Sequence, residues 1–351
     1  MKTGEAFLPL HGGKAPRWLF ERMKRLSAVL IEAMVELYGT VELLRRLSDP
    51  FWFQSFGCLL GFDWHSSGLT TTLCGAMKEG LRGMEKALGF FIAGGKAGRA
   101  LKTPEEITRW SDLMGLNGEA LILASRLSAK VDNVALQDGY SLYHHVMFFD
   151  MRGNWSIVQQ GMNPAIGYAR RYHWLSITLK DFVNDPHSGI ISPIKHDKVL
   201  NLVASESAPN REAMLDILED ATPREIKMLF MREEHAVSHE YIDPKRFLRK
   251  FEELRERKPK DFKELLLVKG VGAKTLRALS LTAEVLTGKP PSYKDPVRYA
   301  YAHGGKDGHP FPVDKETYDR TISILEDIVR RAELSRSDKE KIFRRLTLIS
   351  S

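Results

Sequence analysis

The chain has 351 residues, a formal net charge of +7, a pI of about 9.2 and 43% hydrophobic residues. This excludes a disordered polymer and allows two or three cored domains. The only cysteines, Cys58 and Cys74, stand 16 positions apart, which excludes a disulfide scaffold and matches no zinc-ligand spacing.

Excess positive charge raises the weight of a polyanionic partner. No apolar run has the length to span a bilayer, and Met1-Lys-Thr-Gly-Glu-Ala lacks the apolar core of a signal peptide. A soluble, cytoplasmic protein with no membrane partner is expected. Oligomeric state is not encoded in any pattern here.

Apolar residues at helical spacing predict two helices over 15–47, punctuated by Gly39. An aromatic-rich segment from Pro50 to His65 and a polar stretch over 66–72 follow, then a helix over 73–90. Ile92-Ala-Gly-Gly-Lys96 reads as a short apolar element ending in a glycine turn. Thr103-Pro-Glu-Glu106 reads as a capping-box helix start. The strongest β signal is a hairpin, 143–150 and 155–160, around Met151-Arg-Gly-Asn154, with Tyr168–Trp174 leading onward.

Residues 181–200 read as a connector, and helices dominate from Pro209: 210–220, 222–239, 243–256, 260–267, 273–287, 315–333 and 336–348. The predicted fold is α+β, mainly α. An N-terminal α+β domain (1–200) carries a β-hairpin and a substrate pocket, and a helical domain (201–351) follows.

The most informative segment is Leu265-Leu-Leu-Val-Lys-Gly-Val-Gly-Ala-Lys-Thr-Leu276. It predicts a helix, a tight turn and a second helix. Gly270 and Gly272 are free to adopt positive φ and carry no Cβ, so an external group can approach the main chain. The first N–H groups of the second helix lack intrahelical acceptors and lie at the positive end of its dipole. Lys269 and Lys274 add charge beside Ala273 and Thr275. These residues resemble the helix-hairpin-helix motif, a non-sequence-specific grip on the DNA backbone.

Other patterns carry chemistry less specifically. Arg170 and Arg171 interleave with Tyr168, Tyr172, His173 and Trp174, which suits phosphate pairing and base stacking or, equally, an amphipathic segment. Asp63, His65 and Asp150, with Asp138, His144 and His145, are the material for a divalent-metal nuclease centre. His235 and His239 share a helix face at i, i+4 but lack the glutamate of the zinc-protease pattern. His11-Gly-Gly-Lys14, Gly94-Gly-Lys96 and His303-Gly-Gly-Lys306 recur as glycine-lysine turns, either phosphate concavities or plain loops.

As a whole the chain resembles the domain-of-unknown-function 763 family of archaea and some bacteria. The resemblance rests on Leu10-His-Gly-Gly-Lys-Ala-Pro16, Leu47-Ser-Asp-Pro-Phe-Trp-Phe53, Gly61-Phe-Asp-Trp-His-Ser-Ser-Gly68, Val158-Gln-Gln-Gly-Met162, Ala169-Arg-Arg-Tyr-His-Trp174 and His303-Gly-Gly-Lys-Asp-Gly-His-Pro310.

Locally, Gly270-Val-Gly-Ala-Lys274 resembles DNA glycosylases of the endonuclease III type. That resemblance implies Lys274 as a Schiff-base nucleophile. It implies Asp295, 21 residues on, as its helper, although Tyr293-Lys-Asp-Pro-Val297 departs from the usual Val-Asp-x-His, and Val313-Asp314 offers a second aspartate. No iron–sulfur cysteine cluster follows. The expectation is a DNA-repair glycosylase/AP lyase acting on damaged DNA, duplex or single-stranded, without a required cofactor. The alternatives are a nuclease using a divalent metal near Asp63, His65, Asp150 or Asp314, and a non-catalytic DNA-binding protein.

Overall fold

The computed structural model describes residues 8–10, 15–63, 65–226, 243–297 and 315–350. The fold is α+β and mainly α. Its centre is a five-stranded antiparallel sheet of order β1-β3-β4-β5-β6, formed by β1 (Phe90–Lys96), β3 (Ser141–Asp150), β4 (Trp155–Asn163), β5 (Tyr168–Leu175) and β6 (Gly189–Ile191). A small ribbon pairs β2 (Leu136–Gln137) with β7 (Leu200–Asn201). The β3–β4 hairpin turns where the sequence predicts. Asp150 fixes the turn, accepting the backbone N–H groups of Arg152 at 2.9 Å and Asn154 at 3.0 Å.

Side chains alternate across a strand, so each cross-strand row points to one face. The row His144, Gln160, Arg171 and Ile191 faces one side; the row His145, Gln159, Tyr172 and Ile190 faces the other. Helices cover both faces, and so the strands show no clean apolar–polar alternation.

On the first face lie α1 (Arg17–Ser48, kinked at Gly39), α2 (Pro50–Leu59), α3 (Gly68–Gly80) and α4 (Glu85–Leu88). Val146, Phe148 and Val158 pack there with Leu26, Phe53 and Leu73. The aromatic segment forms α2, capped by Asp49 through the N–H groups of Phe51 and Trp52. Almost every residue of α2 is buried, so it has no polar face to reveal a helical period.

Beyond β1 come α5 (Gly98–Leu101), α6 (Thr103–Met114) and α7 (Gly118–Lys130), the last continued by one π-helical turn, Val131–Ala135. The expected capping box at Thr103 does not form. Thr103 Oγ1 donates to Ala100 O, and Glu106 reaches instead to the N–H of Gly94 and to Lys78. The second core face is completed by α8 (Ala208–Asp220), α9 (Pro244–Arg257), α10 (Phe262–Leu267) and α11 (Ala273–Thr287). Two further helices, α12 (Lys315–Arg331) and α13 (Arg336–Ser350), return to the first face, where Leu325, Val329 and Ile342 join its core.

Both cores therefore cross residue 200. One unites Phe91, Met147 and Trp174 with Leu265, Val271, Leu276 and Leu279; the other unites Leu26 and Phe53 with Leu325 and Ile342. The expected boundary does not separate two cores. Among the described residues no helix is long and apolar enough to cross a membrane.

Candidate nucleic-acid interface and interior polar network

The segment around residue 270 forms two helices joined by a tight turn. Asp261 caps α10 by accepting the N–H of Glu264 at 2.8 Å. Leu265, Leu266, Val271, Leu276 and Leu279 are buried and anchor both helices to the core. Burying each such side chain stabilises by about 1.5–3 kcal/mol. The Val271 N–H bonds Val268 O at 3.1 Å and closes the turn. Gly270 has φ +84, but Gly272 is extended (φ −132, ψ −179), so only the first glycine needs the left-handed region.

No side chain caps α11. The N–H groups of its first turn lack intrahelical acceptors. Lys269, Gly270 and Lys274 are exposed. A Cβ on Gly272 would meet open space, whereas one on Gly270 would lie 2.9 Å from Lys250 Nζ. Two carbonyls of the turn are held from behind. Lys130 Nζ donates to Val271 O at 2.8 Å, and Gln137 Nε2 donates to Ala273 O at 2.8 Å. Gln137 Oε1 also accepts Arg277 Nε at 2.8 Å. Burial lowers the Lys130 pKa. The turn thus lies among Lys130, Lys250, Lys269, Lys274 and Arg277.

Asp295 lies elsewhere in the chemistry. Its carboxylate takes Arg170 through both terminal nitrogens, at 3.1 and 2.8 Å, and accepts the His196 N–H at 2.8 Å. Arg170 also binds Asp138 at 3.0 Å and Ile194 O at 3.1 Å and stacks over the Tyr140 ring. Tyr172 Oη donates to Asp138 at 2.7 Å. Burial disfavours charge on Arg170, but Asp138, Tyr172 and Asp295 outweigh it and raise the pKa. Burial pushes Asp138 up, with Arg170 opposing.

Lys274 makes no ion pair or hydrogen bond with Asp295 among the described residues. The expected nucleophile–helper pair is not assembled: the helper carboxylate is sealed with an arginine, and the lysine stands in solvent.

Arg170 and Arg171 are corrected as nucleic-acid contacts, because both are fully buried. Arg171 lies over the Phe53 ring and donates to His173 Nε2 at 2.9 Å, Gln54 Oε1 at 2.9 Å, Thr70 Oγ1 at 3.2 Å and Pro50 O at 3.3 Å. Burial and the Arg171 charge hold His173 well below its usual pKa.

A further network runs through the opposite sheet face. Asp132, on the π-helical turn, is fully buried. It accepts Trp174 Nε1 at 2.9 Å, Gln159 Nε2 at 2.5 Å and His187 Nε2 at 2.5 Å. Gln159 Oε1 accepts His145 Nδ1 at 2.8 Å, and His145 Nε2 meets Ser125 Oγ at 2.8 Å. Burial lowers the His145 pKa.

Gln159, Arg170, Arg171, Tyr172 and Trp174 belong to the strings on β4 and β5 that carry the whole-chain resemblance. Residues 4–313 match the family model described as a protein of unknown function, DUF763. The chain belongs to the DUF763 family. No curated protein and no solved structure matches it.

In this DUF763 chain the residues expected to hold a metal do not converge. Asp63 and His65 are exposed, and Asp63 Oδ1 accepts the His65 N–H at 3.3 Å. Asp150 is buried and structural, holding its turn and accepting Thr40 Oγ1 at 3.0 Å. Among the described residues no group of three His, Cys, Asp or Glu side chains is placed to hold a metal ion. Asp314, His235, His239 and the His11 and His303 glycine motifs lie outside the described residues. Gly94 lies within β1, its N–H on Glu106 and its carbonyl accepting Lys78 Nζ at 2.7 Å, so it offers no empty concavity.

Sequence reasoning missed Asp132 and His187, which lie 55 positions apart with no local motif. The available signal was an aspartate within the apolar run Val131-Asp-Asn-Val-Ala135, a charge that needs a buried partner.

Proposed function

We propose that this DUF763 protein grips the sugar–phosphate backbone of DNA through the α10–turn–α11 segment. The observation that carries the reading is the open approach at Gly272, where uncapped α11 amides face solvent among lysines. Phosphate oxygens suit that arrangement because backbone N–H groups, a helix dipole and ammonium charge all favour an anion. The resemblance of Gly270-Val-Gly-Ala-Lys-Thr275 to helix-hairpin-helix proteins and the net charge of +7 point the same way.

Strand cleavage by a Lys274 Schiff base is the narrower reading. A lysine nucleophile gains reactivity from desolvation or from a cationic neighbour. Lys274 is exposed, and Asp295 is engaged by Arg170. The grip therefore stands without the lyase step.

Fluorescence anisotropy with a labelled duplex tests the grip. Binding should weaken steeply with salt, and the double variant K269E/K274E should lower the log–log slope by about 0.9 for each phosphate that the variant no longer neutralises. Salt-insensitive binding, or an unchanged slope in the variant, refutes it. Borohydride trapping on an abasic duplex, compared with Lys274→Gln, decides the lyase step.

A further inference from the structure

Three unusual local features meet at one cavity. Asp132 lies on a π-helical turn, a departure from regular helix that is frequent at functional sites. Asp185 holds φ +46, a left-handed conformation that is costly outside glycine and that clusters at sites of chemistry. Between them His187 forms a buried ion pair with Asp132 and lines a cavity of about 20 Å³. Asp185, Asn201 and Pro296 share that lining with apolar Ile190 and Val203.

The geometry fixes the histidine's roles. Its Nε2–H points at Asp132 Oδ1, at 2.5 Å, so Nδ1 carries the lone pair in the neutral ring. Among the described residues Nδ1 makes no hydrogen bond, and it is not sealed from solvent. The ring is held edge-on against Trp174, centroids 4.6 Å apart, and Trp174 is itself tied to Asp132. A fixed imidazole with a carboxylate behind and a free nitrogen in front is a general base. The cavity is large enough for one water, which needs about 10–15 Å³.

The charge of the walls selects the reaction. The lining includes Asp185 and contains no lysine or arginine. The nearby Arg211 is committed to Leu202 O and Ala204 O, both at 2.8 Å, and to Asn184. Such walls oppose the negative charge that builds on a phosphate under attack. They favour a transition state that becomes positive, as a deoxyribose does when its base departs. The cavity also adjoins the grip, because Asn201 pairs with Leu136 and the next residue, Gln137, holds Ala273 O.

We propose that His187, positioned by Asp132, activates a water that hydrolyses the N-glycosidic bond of a nucleotide in the bound DNA, a step that rests on the grip reading. The water proton passes to His187 Nδ1 as its oxygen bonds C1′. The C1′–N bond breaks with its electron pair going to the base. The imidazolium then returns the proton to the departing base nitrogen, and Asp185 stabilises the cationic sugar. The products are a free base and an abasic site, with no metal, redox partner or lysine adduct.

The test uses the full chain and duplexes containing uracil, hypoxanthine or an alkylated purine, with chromatography of released base and anisotropy of binding. Release from at least one duplex is expected, with His187→Gln lowering it at least 100-fold and changing binding less than twofold. Asp132→Asn should move the acid limb of the pH–rate profile to lower pH, together with the His187 titration followed by NMR. A purely structural aspartate would leave that limb in place. Unchanged release in His187→Gln overturns the proposal, as does absence of release from every duplex while salt-sensitive binding persists. In that last case the grip reading survives alone; loss of binding in wild type instead removes the grip.

Discussion

Arg170 and Asp295, 125 positions apart, form a bidentate pair with both side chains fully buried, Nη1–Oδ1 at 3.1 Å and Nη2–Oδ2 at 2.8 Å. The pair ties β5 to the strand-like segment after α11, which also bridges to Asn201 through Ser292. A buried charge that loses its partner keeps its desolvation cost and loses its compensation. Asp295→Asn and Arg170→Ala should each destabilise by about 3–5 kcal/mol, read from urea unfolding midpoints. Arg170→Lys should fall close behind, since an ammonium cannot reproduce the two-pronged contact. Near-wild-type stability of Asp295→Asn would mean that the carboxylate serves something other than this pair.

The two turn glycines should separate folding from binding. Gly270→Ala places a side chain at φ +84 and pushes Lys250 aside, so it should cost about 1–2 kcal/mol. Gly272→Ala keeps an ordinary extended backbone and should stay within about 0.5 kcal/mol of wild type. Its Cβ enters the space where a phosphate would approach, so DNA binding should weaken by about tenfold, ~1.4 kcal/mol. Thermal unfolding and anisotropy on the same preparations check both.

Gly94 makes the opposite case, a glycine demanded by packing. A Cβ there would lie 2.2 Å from His145 O and 2.8 Å from Thr103 Oγ1. Backbone cannot step aside as a flexible side chain can. Gly94→Ala should cost at least about 3 kcal/mol and appear as insoluble or unfolded protein.

How much of this was legible follows from the range of the interactions. The β3–β4 hairpin, α11 and the turn at Gly270 are set by local signals, and the structure has them at the expected residues. Helix α2 hid because burial on every side removed its period. Arg170 and Arg171 misled because arginine beside tyrosine and tryptophan looks alike on a surface and in a sealed network. What separates the cases is the distant Asp138, Asp295, Gln54 and Thr70, which local spacing does not reveal. The Asp132–His187 pair is wholly non-local, and only the sheet register and the loop before β6 bring it together.

His144 gives the sharpest pH prediction. It is buried on the first sheet face, and neither ring nitrogen has a hydrogen-bond partner. Burial, with His145 and Lys96 adding to it, pushes its pKa down to about 3. In the unfolded chain the ordinary value is about 6.5, so between these limits the unfolded state binds a proton that the native state refuses. His144 therefore leaves stability untouched above about pH 6.5 and removes about 1.4 kcal/mol per pH unit as pH falls below it. His144→Leu deletes that term and two unpaired polar atoms together. Its unfolding midpoint should equal or exceed wild type at pH 7.5, with a gain of up to about 1–3 kcal/mol. The advantage should widen at pH 5, because His145 and His173 titrate in both proteins and cancel in the difference. A gap that stays constant between pH 7.5 and 5 would show that His144 is protonated or hydrogen-bonded in the native fold.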